Sequence, residues 1–430
     1  MPWTGKDKAA LVLAASMMFL GDTYLEESPL IRALEIADYN TVADFFDGTA
    51  RDGKTIPHAE RYWERTGRHL SSAQFKSAFR CRKTTFAKLV RKLYGTTSHC
   101  RRGSRGPEFD PCERVAVFLW RLGHASDVRG TSLVFGLSEG AVSLATLEVA
   151  RLIEDELREK HVVWPSRAEQ RHISTKWELE KGLRNVIGAI DGSHTKVSPP
   201  EAVAKAYYNY KHYYSISLLA IVDNEGLFRW FCSGAPGSCG DSGVLRHTHF
   251  FHEAEAERTK PPGRRRTLAN GAVILGDSAN AESDWMRTPI LKPNGRAERF
   301  FNYKHSSQRF RVEHGFGRVK KKFPALAKGL DCDVRNAALM VNACVVLHNF
   351  IFKLEGQTPS DQGIDTAPTK NGTGHIPIAG AGPATSARAK EVEHLRTMFL
   401  QREWGEVGSR ADRRRKAAEK RIRRNNSTSG

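Results

Sequence analysis

Four continuous apolar runs, three of them ending on or beside an acid, constrain this chain more than any other feature. VIGAID (186–191) is unbroken until Asp191 closes it. YYSISLLAIVD (213–223) and LFRWFCSGAPG (227–237) follow, joined by the short turn Asn224-Glu225-Gly226. AVILGDS (272–278) is the fourth. Short apolar runs bounded by turn residues read as buried strands. Beyond them the period changes to that of helices, in QRFRVEHGFGRVKKKF (308–323) and VRNAALMVNACVVLHNFIFKL (334–354). Strands first, then a strand and helices, predict an α/β core.

Three acids stand out by position. Asp191 closes the first strand and Asp277 the fourth, while Glu313 lies in the first turns of the predicted helix. A carboxylate at the end of an apolar strand emerges at the sheet edge, where open α/β sheets bind ligands. Two strand ends and a helix can bring three carboxylates together, and uncompensated they repel. A pair of Mg²⁺ ions (Mn²⁺ being the alternative), roughly 3.5–4 Å apart, resolves that repulsion. One ion turns bound water into a nucleophile and the other stabilises the leaving 3′ oxygen of a phosphodiester. Acids after strands also cap helices or turn the chain, so the positions alone leave both readings open. Asp241 is a reserve candidate for the second acid, with turn capping as its alternative, and Asp223 lies in the same neighbourhood.

Charge indicates the partner. Lys and Arg number 67 against 48 Asp and Glu, a net charge of +19, which favours a polyanion such as nucleic acid. The excess is clustered. In FRCRKTTFAKLVRKLYG (79–95), Phe79, Phe86, Leu89, Val90 and Leu93 would face a core, and Arg82, Lys83, Lys88, Arg91 and Lys92 would face out. A solvated surface and a phosphate-facing one fit that pattern equally. Residues 112–150 have the rhythm of a helix-turn-helix. Val115, Leu119 and Leu122 line one helix, 128–135 form a second, and Ser138 caps a third that presents Glu139, Ser143 and Thr146 outward. Seven scattered cysteines with no CxxC pair argue against a disulfide scaffold. The apolar run 9–20 is too short to span a membrane and reads as a buried helix, so no membrane is expected. HTHFFH (247–252) matches no standard zinc spacing. PPGRRR (261–266) reads as an exposed loop. Residues 356–385 read as a linker, and the basic tail 408–424, with RRRK and RIRR, as a polyanion contact or nuclear address.

The ordered motifs IGAIDGSH, YYNYKHYYSISLLAIVDNEGLF, APGSCGDS, LGDS, FNYKHSSQRFRVEHGFGRVKKKFPAL and LHNF resemble the PIF/Harbinger family of DDE transposases and their domesticated nuclease relatives, over about residues 75–355. The resemblance implies a ribonuclease-H-like catalytic core with an N-terminal all-α helix-turn-helix region. It assigns Asp191, Asp277 and Glu313 as the catalytic, metal-binding acids. Arg309 matches the family's Arg before the Glu, and His194 and Lys211 are DNA-contact candidates alongside Arg82, Lys83 and Ser143. The sequence departs from the family at Ser278-Ala279-Asn280, where a Tyr is usual, and at Gly240, where a His is frequent.

The expected organisation is a helical region (1–74), a helix-turn-helix region (75–160), a nuclease domain (180–355) and a linker with a basic tail (356–430). The expected function is metal-dependent endonuclease or transposase action on double-stranded DNA, at element ends and target, in the nucleus. A Myb-like partner and a homo-oligomer are implied by the resemblance. The alternative is a domesticated, catalytically inactive DNA-binding protein.

Overall fold

The structure is a computed structural model and describes residues 61–95, 110–257, 260, 267–269 and 271–356. The apolar run 9–20, the loop 261–266, the linker and the basic tail lie outside the described residues.

The helical layer comes first. It comprises α1 (Ser72–Phe79), α2 (Lys83–Tyr94), α3 (Pro111–His124), α4 (Val128–Phe135), α5 (Glu139–His161) and α6 (Arg167–Lys181). The single helix expected from residue 79 to 95 is two. Arg80 takes a left-handed turn, φ +62°, and its guanidinium reaches the Gly123 carbonyl in the last turn of α3. Phe75, Phe79 and Phe86 then lock α1 to α2, with ring centroids 4.7–6.0 Å apart.

Helix α4 ends at Gly136, and Ser138 caps α5 by accepting from the Ala141 amide. The axes of α4 and α5 differ by 104°. Val115, Leu119 and Leu122 are buried as expected. Thr146 is not outward. It is fully buried and donates to the Val142 carbonyl at 2.7 Å, because that face of α5 packs on α3 and on α10 (Val334–Glu355). Helix α10 is apolar and long enough to cross a membrane, but it is the core helix here, with Val341–Leu347 almost entirely covered except at Asn342. Each such Val or Leu contributes about 1.5–3 kcal/mol by leaving water.

The sheet has five strands: β1 (Val186–Lys196), β2 (Ser215–Val222), β3 (Phe228–Pro236), β4 (Val273–Leu275) and β5 (Met286–Arg287), in the order β3-β2-β1-β4-β5. β1, β2 and β3 are antiparallel neighbours, and β4 and β5 run parallel to β1. All eight residues of β2 are buried, which explains its unbroken apolar run. Between β3 and β4 come α7 (Asp241–Arg246) and α8 (His249–Glu257). After β5 come α9 (Gly295–Lys322) and α10. The fold is thus mixed α/β around one mixed sheet, and a single hydrophobic cluster runs from Trp63 to Ile351.

Two expected boundaries move. β1 does not stop at Asp191 but continues to Lys196, paired with β2 from Ala189 onward. α9 begins at Gly295, so Glu313 lies deep in the helix, not in its first turns. The buried face of its early turns includes His305 and Gln308 beside Phe301, which hides the apolar periodicity.

Candidate active site

β1 and β4 set the site. Ala189 pairs with Leu275 in parallel register, and β4 then leaves the sheet. Two residues further along β1 stands Asp191, and two residues beyond the end of β4 stands Asp277, near enough that its charge acts on Asp191. Asp191 is therefore open on its β4 side although it lies mid-strand. Asp277 is held in place because its Oδ1 accepts from the Ala279 amide at 3.1 Å and from Asn280 Nδ2 at 2.7 Å. Asn280, within the departure from the family pattern, thus supports the acid directly.

Asp241 is the first residue of α7 and enters from β3. Its carboxylate lies directly over Gly192, so close that a Cβ there would stand 2.2 Å from Oδ1. Burial, then repulsion from Asp191 and Asp277, pushes its carboxyl up to about 7. Asp241 thus joins those two acids instead of replacing Asp277. The family's frequent His would fit at Gly240, where a Cβ meets nothing within 4 Å.

Arg309 ties the group together. Nη1 donates to Asp191 Oδ2 at 2.7 Å and Nη2 to Glu313 Oε1 at 2.8 Å. The Arg309–Glu313 spacing places both on one face of α9. Burial pushes Asp191 and Glu313 upward, opposed in each by Arg309. The guanidinium, which burial alone would lower, is held above its ordinary value by Asp191 and Glu313. Two of the four carboxylates, Asp191 and Glu313, thus share one guanidinium.

Lys211 is exposed and its charge lowers the Asp241 carboxyl, which places it on the same side as the acids. His194 Nδ1 meets Ser215 Oγ at 3.0 Å. Burial, then Lys211 and Lys320, pushes its imidazole down to about 4, so the ring is neutral. Lys320 Nζ donates to the His194 carbonyl at 2.9 Å and is itself pushed down to about 8 by burial and Lys211.

Arg82, Lys83 and Ser143 are not brought to the acids. Arg82 caps α2 and receives Glu355, its amide donating to Oε1 at 2.7 Å. Lys83 lies 5.6 Å from the Phe75 ring, and Ser143 is half-buried on α5. Asp223 is a turn residue. Its Oδ1 accepts from three successive amides, Glu225 to Leu227, and its Oδ2 pairs with Arg229 at 2.7 Å. HTHFFH enters α8, and His249 faces Glu253 at 3.6 Å.

Among the described residues no three His, Cys, Asp or Glu side chains stand within metal-ligand reach of one point. The donor set nonetheless suits a hard divalent cation. It is all carboxylate oxygen, and in one of its acids, Asp241, burial and then the repulsion of Asp191 and Asp277 push the carboxyl up, a repulsion that a cation would relieve. Asp191, Asp241, Asp277 and Glu313 are the residues that would hold it.

Residues 190–349 match the DDE superfamily endonuclease family. The chain carries a DDE superfamily endonuclease domain. This domain holds all four carboxylates and Arg309. The chain is 29% identical over 299 residues to Protein ALP1-like of Arabidopsis thaliana, covering 67% of this chain and 73% of that one. It is 27% identical over 288 residues to Antagonist of Like Heterochromatin Protein 1 of the same plant, covering 64% and 72%. It is 29% identical over 171 residues to HARBI1 of Homo sapiens, a candidate nuclease by its name, covering 39% of this chain and 46% of that one. These relatives bear out the Harbinger resemblance. No solved structure matches the chain.

Proposed function

We propose that this chain is a metal-dependent DNA endonuclease of transposase type, which cuts phosphodiester bonds and joins the 3′ ends to target DNA. The observation that carries the reading is the gathering of Asp191, Asp241 and Asp277, with Glu313 joined to Asp191 through Arg309. The strand order, three antiparallel strands followed by two parallel to the first, supports a ribonuclease-H-like core.

Mg²⁺ or Mn²⁺, when bound, lowers the pKa of a water and stabilises the leaving 3′ oxygen. The chain's own part is to present hard oxygen donors from a strand, a strand end and two helix positions. Asn280 and the Ala279 amide keep Asp277 from turning away. Arg309 balances the charges of Asp191 and Glu313, and its guanidinium would suit a phosphate oxygen if a bound metal took over that charge. Lys211, exposed beside the acids, adds a phosphate contact. Intact acids favour this reading over the inactive DNA-binding alternative.

The α3–α4–α5 unit supports a DNA-reading role, its last two helices meeting at an angle proper to a helix-turn-helix. Action in the nucleus, a Myb-like partner and an oligomeric enzyme complete the proposal, and the resemblance is their support.

The test is Mg²⁺- or Mn²⁺-dependent cleavage of supercoiled DNA by purified full-length protein, beside Asp191→Asn, Asp277→Asn and Glu313→Gln. Cleavage by the wild type, lost in all three with folding and DNA binding kept, supports the proposal. DNA binding without cleavage at either metal, even with the element's own terminal repeats, would return the chain to the inactive alternative.

A further inference from the structure

One surface beside the acids is unlike the rest of the domain. In the segment Tyr208-Asn209-Tyr210-Lys211-His212-Tyr213-Tyr214, three aromatic rings are exposed: Tyr208 by 45%, Tyr210 by 53% and Tyr214 by 43%. Aromatic rings bury large areas when they can, so three left open on one short loop call for a ligand with a flat apolar face.

The loop is firmly built. Asn209, only 2% exposed, accepts from the Lys211 amide at 2.8 Å and donates to Ser215 Oγ at 2.8 Å. Tyr208 and Tyr214 form a backbone bridge, and their rings meet edge to face at 5.5 Å. His212 makes the turn in a left-handed conformation, φ +65°. Gly237 lets the end of β3 close underneath, since a Cβ there would stand 2.2 Å from Ser215 Oγ and 2.6 Å from the Tyr207 carbonyl. The rings are therefore presented, at little further ordering cost.

Cations lie among the rings. Lys211 Nζ is 5.4 Å from the Tyr210 ring and Lys196 Nζ 5.2 Å from that of Tyr213. The Tyr210 ring also meets His194 edge to face at 5.8 Å. His194 is three residues along β1 from Asp191, about 10 Å at roughly 3.3 Å per residue and on the other side of the pleat, and the loop reaches toward the acids through Lys211, whose charge acts on both His194 and Asp241. The distance along β1 is about three stacked-base rises of ~3.4 Å.

We propose that the 208–214 loop is a stacking platform for an unpaired nucleobase within a few nucleotides of the scissile phosphate. The inference rests on the DNA nuclease reading. Every base has a π-face, and aromatic rings interleaved with cations bind single strands through those faces while the cations meet the backbone. A paired duplex hides its base faces, and a surface for paired backbone alone needs Lys and Arg but no tyrosines. The platform thus selects DNA that is frayed or opened at the cleavage position.

The experiment measures binding of the full-length protein, by fluorescence anisotropy in EDTA, to a fully paired duplex and to the same duplex with a short unpaired stretch. A 2-aminopurine placed in that stretch reports stacking. The wild type binds the opened duplex more tightly and quenches the probe. Tyr210→Ala and Tyr208→Ala each weaken binding to the opened duplex by at least about fivefold, leave the paired duplex within about twofold, and relieve the quenching; Tyr210→Phe behaves as wild type. Equal wild-type affinity for the two duplexes, or Ala variants that keep the preference, overturns the platform and leaves the nuclease reading standing. Equal weakening on both duplexes also overturns it, as does loss of self-association with the DNA preference intact. Failure of the wild type to bind either DNA overturns both readings.

Discussion

Replacing Asp241 by Asn should make the metal-free protein more stable at pH 8 while removing its response to Mg²⁺. The Asp241 carboxyl stands at about 7 against an ordinary 3.8, first because it is buried and then because Asp191 and Asp277 face it. The folded value lies above the unfolded one, so the group's favourable contribution is complete below about pH 4 and is lost as pH rises to about 7. At about 1.36 kcal/mol per pH unit, the loss is about 4 kcal/mol at most. Asn removes the charge with little change of shape. In EDTA the variant should match wild type near pH 4 and exceed it by a few kcal/mol at pH 8, about 2–5 °C in melting temperature for a chain of this size. Mg²⁺ should then raise the wild-type midpoint and leave the variant nearly unmoved, because a ligand that binds only the folded state stabilises it. The assay is thermal unfolding from pH 4 to 8 with EDTA or Mg²⁺. A variant less stable than wild type at pH 8 in EDTA, or two parallel pH curves, would refute the reasoning.

Arg309→Ala should lower metal-free stability by about 1–3 kcal/mol by leaving Asp191 and Glu313 without their shared donor, and Mg²⁺ should recover part of it; equal loss with and without metal in chemical denaturation would contradict this. Gly192→Ala should displace Asp241, whose carboxylate occupies the space of the new Cβ, and reduce cleavage by about 100-fold, as nicking rates would show, while far-UV circular dichroism stays unchanged. Deleting residues 408–430 removes nine Lys and Arg and should flatten the dependence of DNA affinity on salt, or abolish nuclear import of a tagged chain; an unchanged slope with unchanged localisation would make the tail inert.

Much of the sheet was legible. The apolar runs at 186–191, 213–223, 227–237 and 272–278 each contain a strand, because burial on both faces removes polar alternation. Helix α3 was legible from the apolar face of Val115, Leu119 and Leu122, and α5 from Ser138, which accepts from the Ala141 amide of the first turn. The break at Arg80 was not, since the chain turns there for a carbonyl 43 residues away. Nor was the start of α9, whose buried face includes His305, satisfied by the Arg287 carbonyl at 2.9 Å. Arg82 and Lys83 are exposed as read, but their neighbours were not legible, since Glu355 lies 273 residues from Arg82 and the Phe75 ring is on another helix.

The sequence alone determined most of the elements and singled out the acids that follow the apolar runs, Asp191 and Asp277, because side-chain period and capping act within a few residues. Tertiary structure decided which acids meet. The register of Ala189 against Leu275 sets Asp277 beside Asp191, the missing Cβ of Gly192 admits Asp241, and Arg309 spans 118 residues to join α9 to β1. Those are long-range contacts, and charges repel or pair according to separation in space.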